Sequence, residues 1–405
     1  MVAAPTKEGK ALGRNSELVR QHNLSAVLLL VHRNQEISRS ALAQQTGLNR
    51  STISDLVEEL KTLGLVTEDL PATVEGKGRP SLVVAADPNV VAFSVHPEFD
   101  YLEVAAVSFD GNILFEERVS YNSSNSALQV VREAARLIEK ITKQLNSYHR
   151  VLGVGVAVPG QVRIADGVVR LAPHLGWEEV PLGKMLQDLC GLPVFIDNDA
   201  SLGCTAESVY GAARNFSDLV YIFGGSGIGG GVITGGTQLR GSTGYGSELG
   251  HVRISSDSNP DYSGIPGTIE ALVRREDLEK VLKVKNVDDN ELEAALLRNR
   301  SEPVRVLVEK QINALAAAIA NYANIFNPQI VVLAGFLPAL YWYNQDLMLE
   351  GIRKGCLPAV REGLVVKPGE LGSNILVVGA AELPFSALIT NPNGFQLLKP
   401  GSKLK

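Results

Sequence analysis

The chain has 405 residues, 45% of them hydrophobic, with 39 glycines and 19 prolines, which fits a soluble α/β protein of two or three domains with sizeable cores. Three dispersed cysteines, Cys190, Cys204 and Cys356, suggest neither a disulfide framework nor a CXXC metal site, and no leader-like or bilayer-length apolar run stands out, so a cytoplasmic protein without a membrane partner is expected. The net charge of −6 is uneven, with ten Lys/Arg against nine Asp/Glu in residues 1–80 and 28 against 35 in the rest, so the acidic body repels nucleic acid and any such contact belongs to the first eighty residues.

After a polar start, Leu24–Val31 reads as a buried helix led into by Leu18 and Val19. The run Ser38–Thr46 opens on a Ser where an N-cap belongs, carries Ala and Leu at helical spacing, and is stopped by Gly47. A second helix opens behind Asn49, and its apolar set Ile53, Leu56, Val57 and Leu60 is the i, i+3, i+4, i+7 stripe of a packed helix. Two helices joined by a Gly-containing turn, the second with a polar start, form a helix-turn-helix signature. Arg39, Asn49, Arg50, Ser51 and Thr52 are its candidate DNA contacts. Leu63–Glu68 then resembles a first wing strand, and Glu75–Pro80 a wing tip whose Lys77 and Arg79 reach phosphate or the minor groove. A small helical protein–protein module is the alternative. Agreement of stripe, turn, polar face and basic wing favours DNA, while Asp55 and Glu59 lower non-specific affinity.

Strands are predicted over Val90–His96, Tyr101–Phe109 and Asp110–Ser120, then a helix over Ala127–Leu145 and a buried strand from Val151 ending at Pro159-Gly160. Strand then helix recurs at Val194–Asp199 and Ala200–Tyr210, and Leu219–Gly224 precedes a glycine loop. Late in the chain, an Ala-rich helix over Val304–Phe326 precedes a strand over Gln329–Ala334. Such alternation implies a mixed α/β sheet covered on both faces, with ligands favoured at strand ends. Three places stand out there: Pro159-Gly160, Asp197-Asn-Asp199, and the glycine loop Gly224–Gly231. The loop matches neither GXXXXGK[ST] nor a clean GXGXXG and is either a phosphate cradle or a tight turn. Beyond it, the stretch Gly241–Glu270 holds Glu248, His251 and Glu270 among glycines, either a cluster able to bond several hydroxyls or a polar hairpin.

The winged segment, the PG turn, LGWEEVPLG at 175–183, IDNDA at 196–200, GGSGIGGG at 224–231 and GSELGH at 246–251 closely resemble the ROK family (repressors, open reading frames and sugar kinases), in the family's order and from about Leu18 to Ala381. The resemblance implies an N-terminal winged helix-turn-helix on a two-lobed, actin-like (ribonuclease H-like) body with a sugar cleft. The implied organisation is a flexible start at 1–17, a DNA-binding domain at 18–85, an effector and oligomerisation body at 86–390 and a tail at 391–405. Asn198 and Asp199 match the family's Asn-Asp pair, whose Asp is the kinase base, Glu248 and His251 match its EXGH pair, and Glu270 matches the Glu closing the next loop. These five are the candidate ligand-binding residues, because neutral sugars need several strong hydrogen bonds to offset lost hydration.

Departures from the family pattern shape the expectation further. The family's DXGGT phosphate motif falls at His96-Pro-Glu-Phe-Asp100, where carboxylates repel phosphate, and Phe336 is expected to crowd the adenosine space. Phosphoryl transfer is mostly positioning and electrostatics, so no enzyme is expected and Asp199 is assigned no catalytic role. The family's zinc is held by the EXGH His and three Cys, whose positions here are Asp261, Ser263 and Thr268. Ser and Thr are poor zinc ligands, so neither metal nor cofactor is expected. The expectation is a sugar-responsive regulator, most simply a repressor, acting as a homodimer or homotetramer on operator DNA with a sugar or sugar derivative as effector. A bifunctional sugar kinase and a regulator controlled by a protein partner are the alternatives.

Overall fold

The computed structural model describes residues 16–70, 82–121, 126–285 and 287–402. Helix α1 (Ser16–Asn34) is followed by strand β1 (Glu36–Ser38), helices α2 (Arg39–Thr46) and α3 (Arg50–Thr62), and strands β2 (Val66–Asp69) and β3 (Val83–Ala86). Ser38 caps α2 by accepting from the Ala41 amide, and Gly47 ends it in the left-handed region at φ 70°, where only glycine avoids a Cβ penalty. Asn49 caps α3 by accepting from the Thr52 amide. The three strands form an antiparallel sheet in the order β1-β3-β2. Leu24, Leu28, Leu42, Ile53, Leu56 and Leu60 fill the interior of this unit. Ser16 and Glu17 already belong to α1, and the rest of the start expected to be flexible, 1–15, lies outside the described residues.

The first lobe of the body contains β4 (Val90–Pro97), β5 (Tyr101–Ser108), β6 (Ile113–Ser120), α4 (Ala127–Thr142) and β7 (Arg150–Val158). A small sheet of β8 (Gln161–Arg163), β9 (Val168–Ala172) and β10 (Trp177–Val180) follows, then α5 (Leu182–Cys190) and β11 (Val194–Asn198). The main sheet runs β11-β7-β4-β5-β6, with β11, β7 and β4 parallel. Helix α6 (Asp199–Val209) carries the chain to the second lobe. There lie β12 (Leu219–Gly224), β13 (Ile228–Thr234), β14 (Thr237–Gln238), α7 (Ile269–Leu272), α8 (Arg275–Leu282), α9 (Asp289–Arg298) and α10 (Glu302–Phe326). After them come β15 (Ile330–Gly335), α11 (Leu337–Tyr343), α12 (Gln345–Gly355), α13 (Pro358–Arg361) and β16 (Val365–Pro368), giving a sheet in the order β14-β13-β12-β15-β16.

Helix α14 (Ile375–Thr390) then returns the chain to the first lobe. Gly379 lets it press on α6, since a Cβ there would sit 2.7 Å from the Leu202 carbonyl oxygen. By length and composition Gly372–Thr390 passes for a membrane span, which the sequence reading overlooked, but 67% of it is buried inside the protein and it serves as a core helix. The segment after α14 is docked rather than a free tail: Leu398 pairs with Val151, and Asn393 donates to Glu59 of α3 at 3.2 Å.

Candidate functional site

In the N-terminal unit, the start of α3 exposes Asn49, Arg50 and Ser51, with Thr52 half-buried. Ser51 donates to Asn49 at 2.7 Å, which fixes the cap. Arg39 is a correction to the expected contact set. Its guanidinium grips Glu68 of β2 at 2.6 and 2.7 Å and Glu58 of α3 at 2.8 Å, so it ties α2 to its neighbours instead of presenting a free cation. Lys77 and Arg79 lie outside the described residues.

In the body, strand register brings several polar residues to one edge of the sheet. Val95 of β4 is level with Val156 of β7, and Val156 with Ile196 of β11. The parallel strands therefore end together, and Glu98 just beyond β4 joins Asn198 and Asp199 on one edge. Asn198 caps α6 by accepting from the Ser201 amide at 3.0 Å, and its Nδ2 holds the Gly160 carbonyl at 3.0 Å. Asp199 Oδ1 accepts from the Ala200 amide at 2.7 Å. Burial first, and the charge of Glu98 second, push the Asp199 carboxyl up to about 7. Beneath them, buried Asp197 pairs with Arg240 from the second lobe. Burial raises the Asp197 carboxyl and Arg240 opposes that rise.

The second group is built around a short 3-10 turn, Leu249–His251. His251 Nδ1 lies 2.9 Å from Asp261 Oδ2, which fixes the ring. Thr268 Oγ1 donates to that same oxygen at 3.0 Å, while Asp261 Oδ1 accepts the Ser263 and Ile265 amides, each at 2.9 Å. Burial works against protonation of His251, but the Asp261 hydrogen bond and the nearby carboxylates outweigh it and leave the imidazole raised. Glu248 on the neighbouring turn is exposed as a residue, but protein around its carboxylate takes water from the charge and, with Glu270 and against His251, raises the carboxyl. Glu270 is placed differently from a free ligand group. It is 7% exposed and accepts amides from Ile228 at 2.8 Å and Tyr262 at 3.4 Å, so it fastens the loop beneath the glycine hairpin. A Cβ on Gly227 would strike its carboxylate, which explains a glycine there.

His251, Asp261 and Glu270 stand close enough to share a metal ion. The donor set does not fit the family's zinc. Of the four equivalent positions only an imidazole and one carboxylate can bind it, and that carboxylate already accepts from amides, a hydroxyl and the ring. Hydrogen bonds around Asp261 hold the loop together.

At the family's phosphate motif, His96 and Pro97 end β4 and Glu98–Asp100 form the turn to β5. Buried His96 lies 3.6 Å from Glu98 and, against the effect of burial, helps keep that carboxyl below its usual range. The glycine loop is a tight hairpin, with β12 ending at Gly224 and β13 beginning at Ile228. Phe336 sits beside that loop. It is 1% exposed and packs in the core, where a Cβ on Gly224 would come 2.7 Å from its ring. His174, which lies near Glu98, packs edge-on against Tyr262 at 5.4 Å, so the loop and the strand ends share one side of the molecule. Sequence reasoning placed Glu98 at the phosphate motif but missed its nearness to Asp199, and it missed Arg240 and His174. Only the doubled Asp around Asn198 hinted that one of the two carboxylates needs a buried cation.

The sequence profile of the ROK family matches residues 99–383. A xylose repressor of Caldicellulosiruptor bescii is 28% identical over 399 residues, covering 93% of this chain and 99% of that one. A glucokinase of Thermotoga maritima is 30% identical over 250 residues, covering 57% of this chain and 77% of its own. Among solved structures, a ROK family transcriptional regulator described as a homolog of the E. coli MLC protein superposes with a TM-score of 0.75 at 23% identity, covering 92% of this chain and 97% of that one.

Proposed function

Since the chain belongs to the ROK family, we propose that it is a sugar-responsive transcriptional repressor whose body binds a sugar without phosphorylating it. One observation carries this reading. The carboxylate of Glu98 stands close to Asp199 and 3.6 Å from His96, in the stretch that replaces the family's phosphate motif, and in this reading Asn198, Asp199, Glu248 and His251 face the sugar. Neighbouring anions in that stretch raise the energy of a bound triphosphate and of the transition state alike. The alignment over nearly the full length of a xylose repressor supports the regulator over the kinase reading.

The N-terminal unit of three helices and three strands is a winged helix-turn-helix in this reading, with Asn49, Arg50, Ser51 and Thr52 at the major groove and Lys77 and Arg79 at the wing. The protein works in the cytoplasm as a homodimer or homotetramer, because two-fold symmetry lets paired units reach two operator half-sites. Asn198, Asp199, Glu248 and His251 bond the sugar hydroxyls, with Glu270 placing the loop, and no structural zinc is needed. The discriminating experiment pairs an ATP-coupled assay over a hexose and pentose panel with duplex selection from a random DNA library. No turnover and a selected palindromic duplex are expected. ATP-dependent turnover abolished by Asp199→Ala would establish the kinase instead.

A further inference from the structure

We propose that His32, Tyr210 and Glu382 are positioning residues that carry the state of the sugar cleft to the N-terminal unit. The inference rests on the reading above, because it needs a sugar at one end of α6 and DNA at α3. Helix α6 starts at the candidate ligand residue Asp199, capped by Asn198, and ends at its C-cap Tyr210. At 1.5 Å per residue its eleven residues form a rod of about 16 Å. The Tyr210 hydroxyl donates to Glu382 Oε1 of α14 at 2.5 Å. The same carboxylate lies 3.0 and 3.2 Å from His32 Nε2 of α1, and the Tyr210 hydroxyl is 3.3 Å from that nitrogen. His32 and Glu382 are 2% and 3% exposed.

Three elements with different roles therefore meet at one carboxylate. Helices α6 and α14 are the two crossings between the lobes, and α1 belongs to the N-terminal unit. The His32 ring stacks on Phe109 at 4.6 Å and meets Phe385 edge-on at 5.8 Å, so apolar rings enclose the polar triad. A buried carboxylate that loses a donor in such surroundings has no water to replace it, so the junction favours one discrete geometry over a gradual slide. Other contacts tie α1 to the end of α14 and to the second lobe: Ser25 donates to the Thr390 carbonyl at 3.1 Å, and Arg33 to the Gly236 carbonyl at 3.4 Å. A sugar that turns the lobes shifts the Tyr210 end of α6 against α14. The carboxylate then either follows Tyr210 or stays with His32, and α1 is re-seated with it.

The test uses the full-length protein, the duplex selected by the wild type, and D-xylose and D-glucose as probes. Operator Kd is measured with and without each sugar for wild type, Tyr210→Phe, which keeps the ring, and Glu382→Gln, which keeps the shape; calorimetry gives the affinity for each sugar. Wild type is expected to change its operator Kd by fivefold or more with an effective sugar. The variants are expected to bind that sugar within about twofold of wild type while the operator response shrinks below about twofold. A purely structural plug would lower stability and leave the ratio intact, and a wild-type ratio in both variants overturns the proposal. Should a variant fail to fold, hydrogen exchange on wild type decides: the sugar must change protection in α1 as well as α6, and no change in α1 overturns the relay. A wild type that binds DNA but answers neither to these two nor to any other pentose, hexose or amino sugar overturns the sugar reading, and the relay with it.

Discussion

Asp199 gives the most direct pH prediction. Its carboxyl sits near 3.9 in an unfolded chain and at about 7 in the fold, so folding favours the neutral form. That stability is whole below about pH 4 and is lost as pH rises through 7. Asp199→Asn should therefore melt above wild type at pH 8 and converge with it at pH 4, by on the order of 1–2 kcal/mol once partial exposure is discounted. Equal melting at both values would show that Asp199 titrates normally. The exposed neighbour across the cleft makes a separate case. Glu248→Gln should weaken binding of an effective sugar about ten- to a hundredfold by calorimetry, the worth of a hydrogen bond to a charged group, and unchanged affinity would remove Glu248 from the site. The placing of Asn198 and Asp199 at a strand end, and of Glu248 and His251 on one short turn, was legible because each lies in a short local motif. The posture of Glu270 was not, since the Ile228 amide that holds it lies on a strand 42 residues away.

At the scale of elements, the loop 251–270 depends on Asp261. Removing that side chain leaves the Ser263 and Ile265 amides, the Thr268 hydroxyl and the His251 ring without their acceptor. Asp261→Ala should cost about 2–3 kcal/mol in urea unfolding, while EDTA leaves the wild-type midpoint where it is. A midpoint lowered by EDTA would mean that a metal holds the loop. Loss of the cysteines could be read from the sequence, but not the network replacing them, which depends on how side chains turn. The helices of the N-terminal unit were legible through Ser38, Gly47 and Asn49, because caps act within three residues. Arg39 was misread for the opposite reason: its partner Glu68 comes from another element. Helix α14 escaped notice as an element because it is apolar nearly all round and has no amphipathic period to detect.

The whole molecule is two lobes crossed by α6 and α14, with the N-terminal unit clamped to both. Arg150 of β7 bonds Leu63 and Gly64 carbonyls beyond α3, and Asp87 at 2.8 Å, so the unit is fixed to the first lobe near its own α3. Alternating strands and helices made the α/β body legible, whereas these attachments pair residues 63 to 370 positions apart in sequence. Clamping at several points is what a regulator needs if lobe movement is to reorient α3, since a ligand acts only through its preference for one arrangement. The most direct test is fluorescence anisotropy of the selected duplex titrated with the full-length protein, alone and with each sugar of a pentose, hexose and amino-sugar panel. At least one sugar is predicted to weaken operator binding by fivefold or more, and superimposable curves across the whole panel would contradict the account.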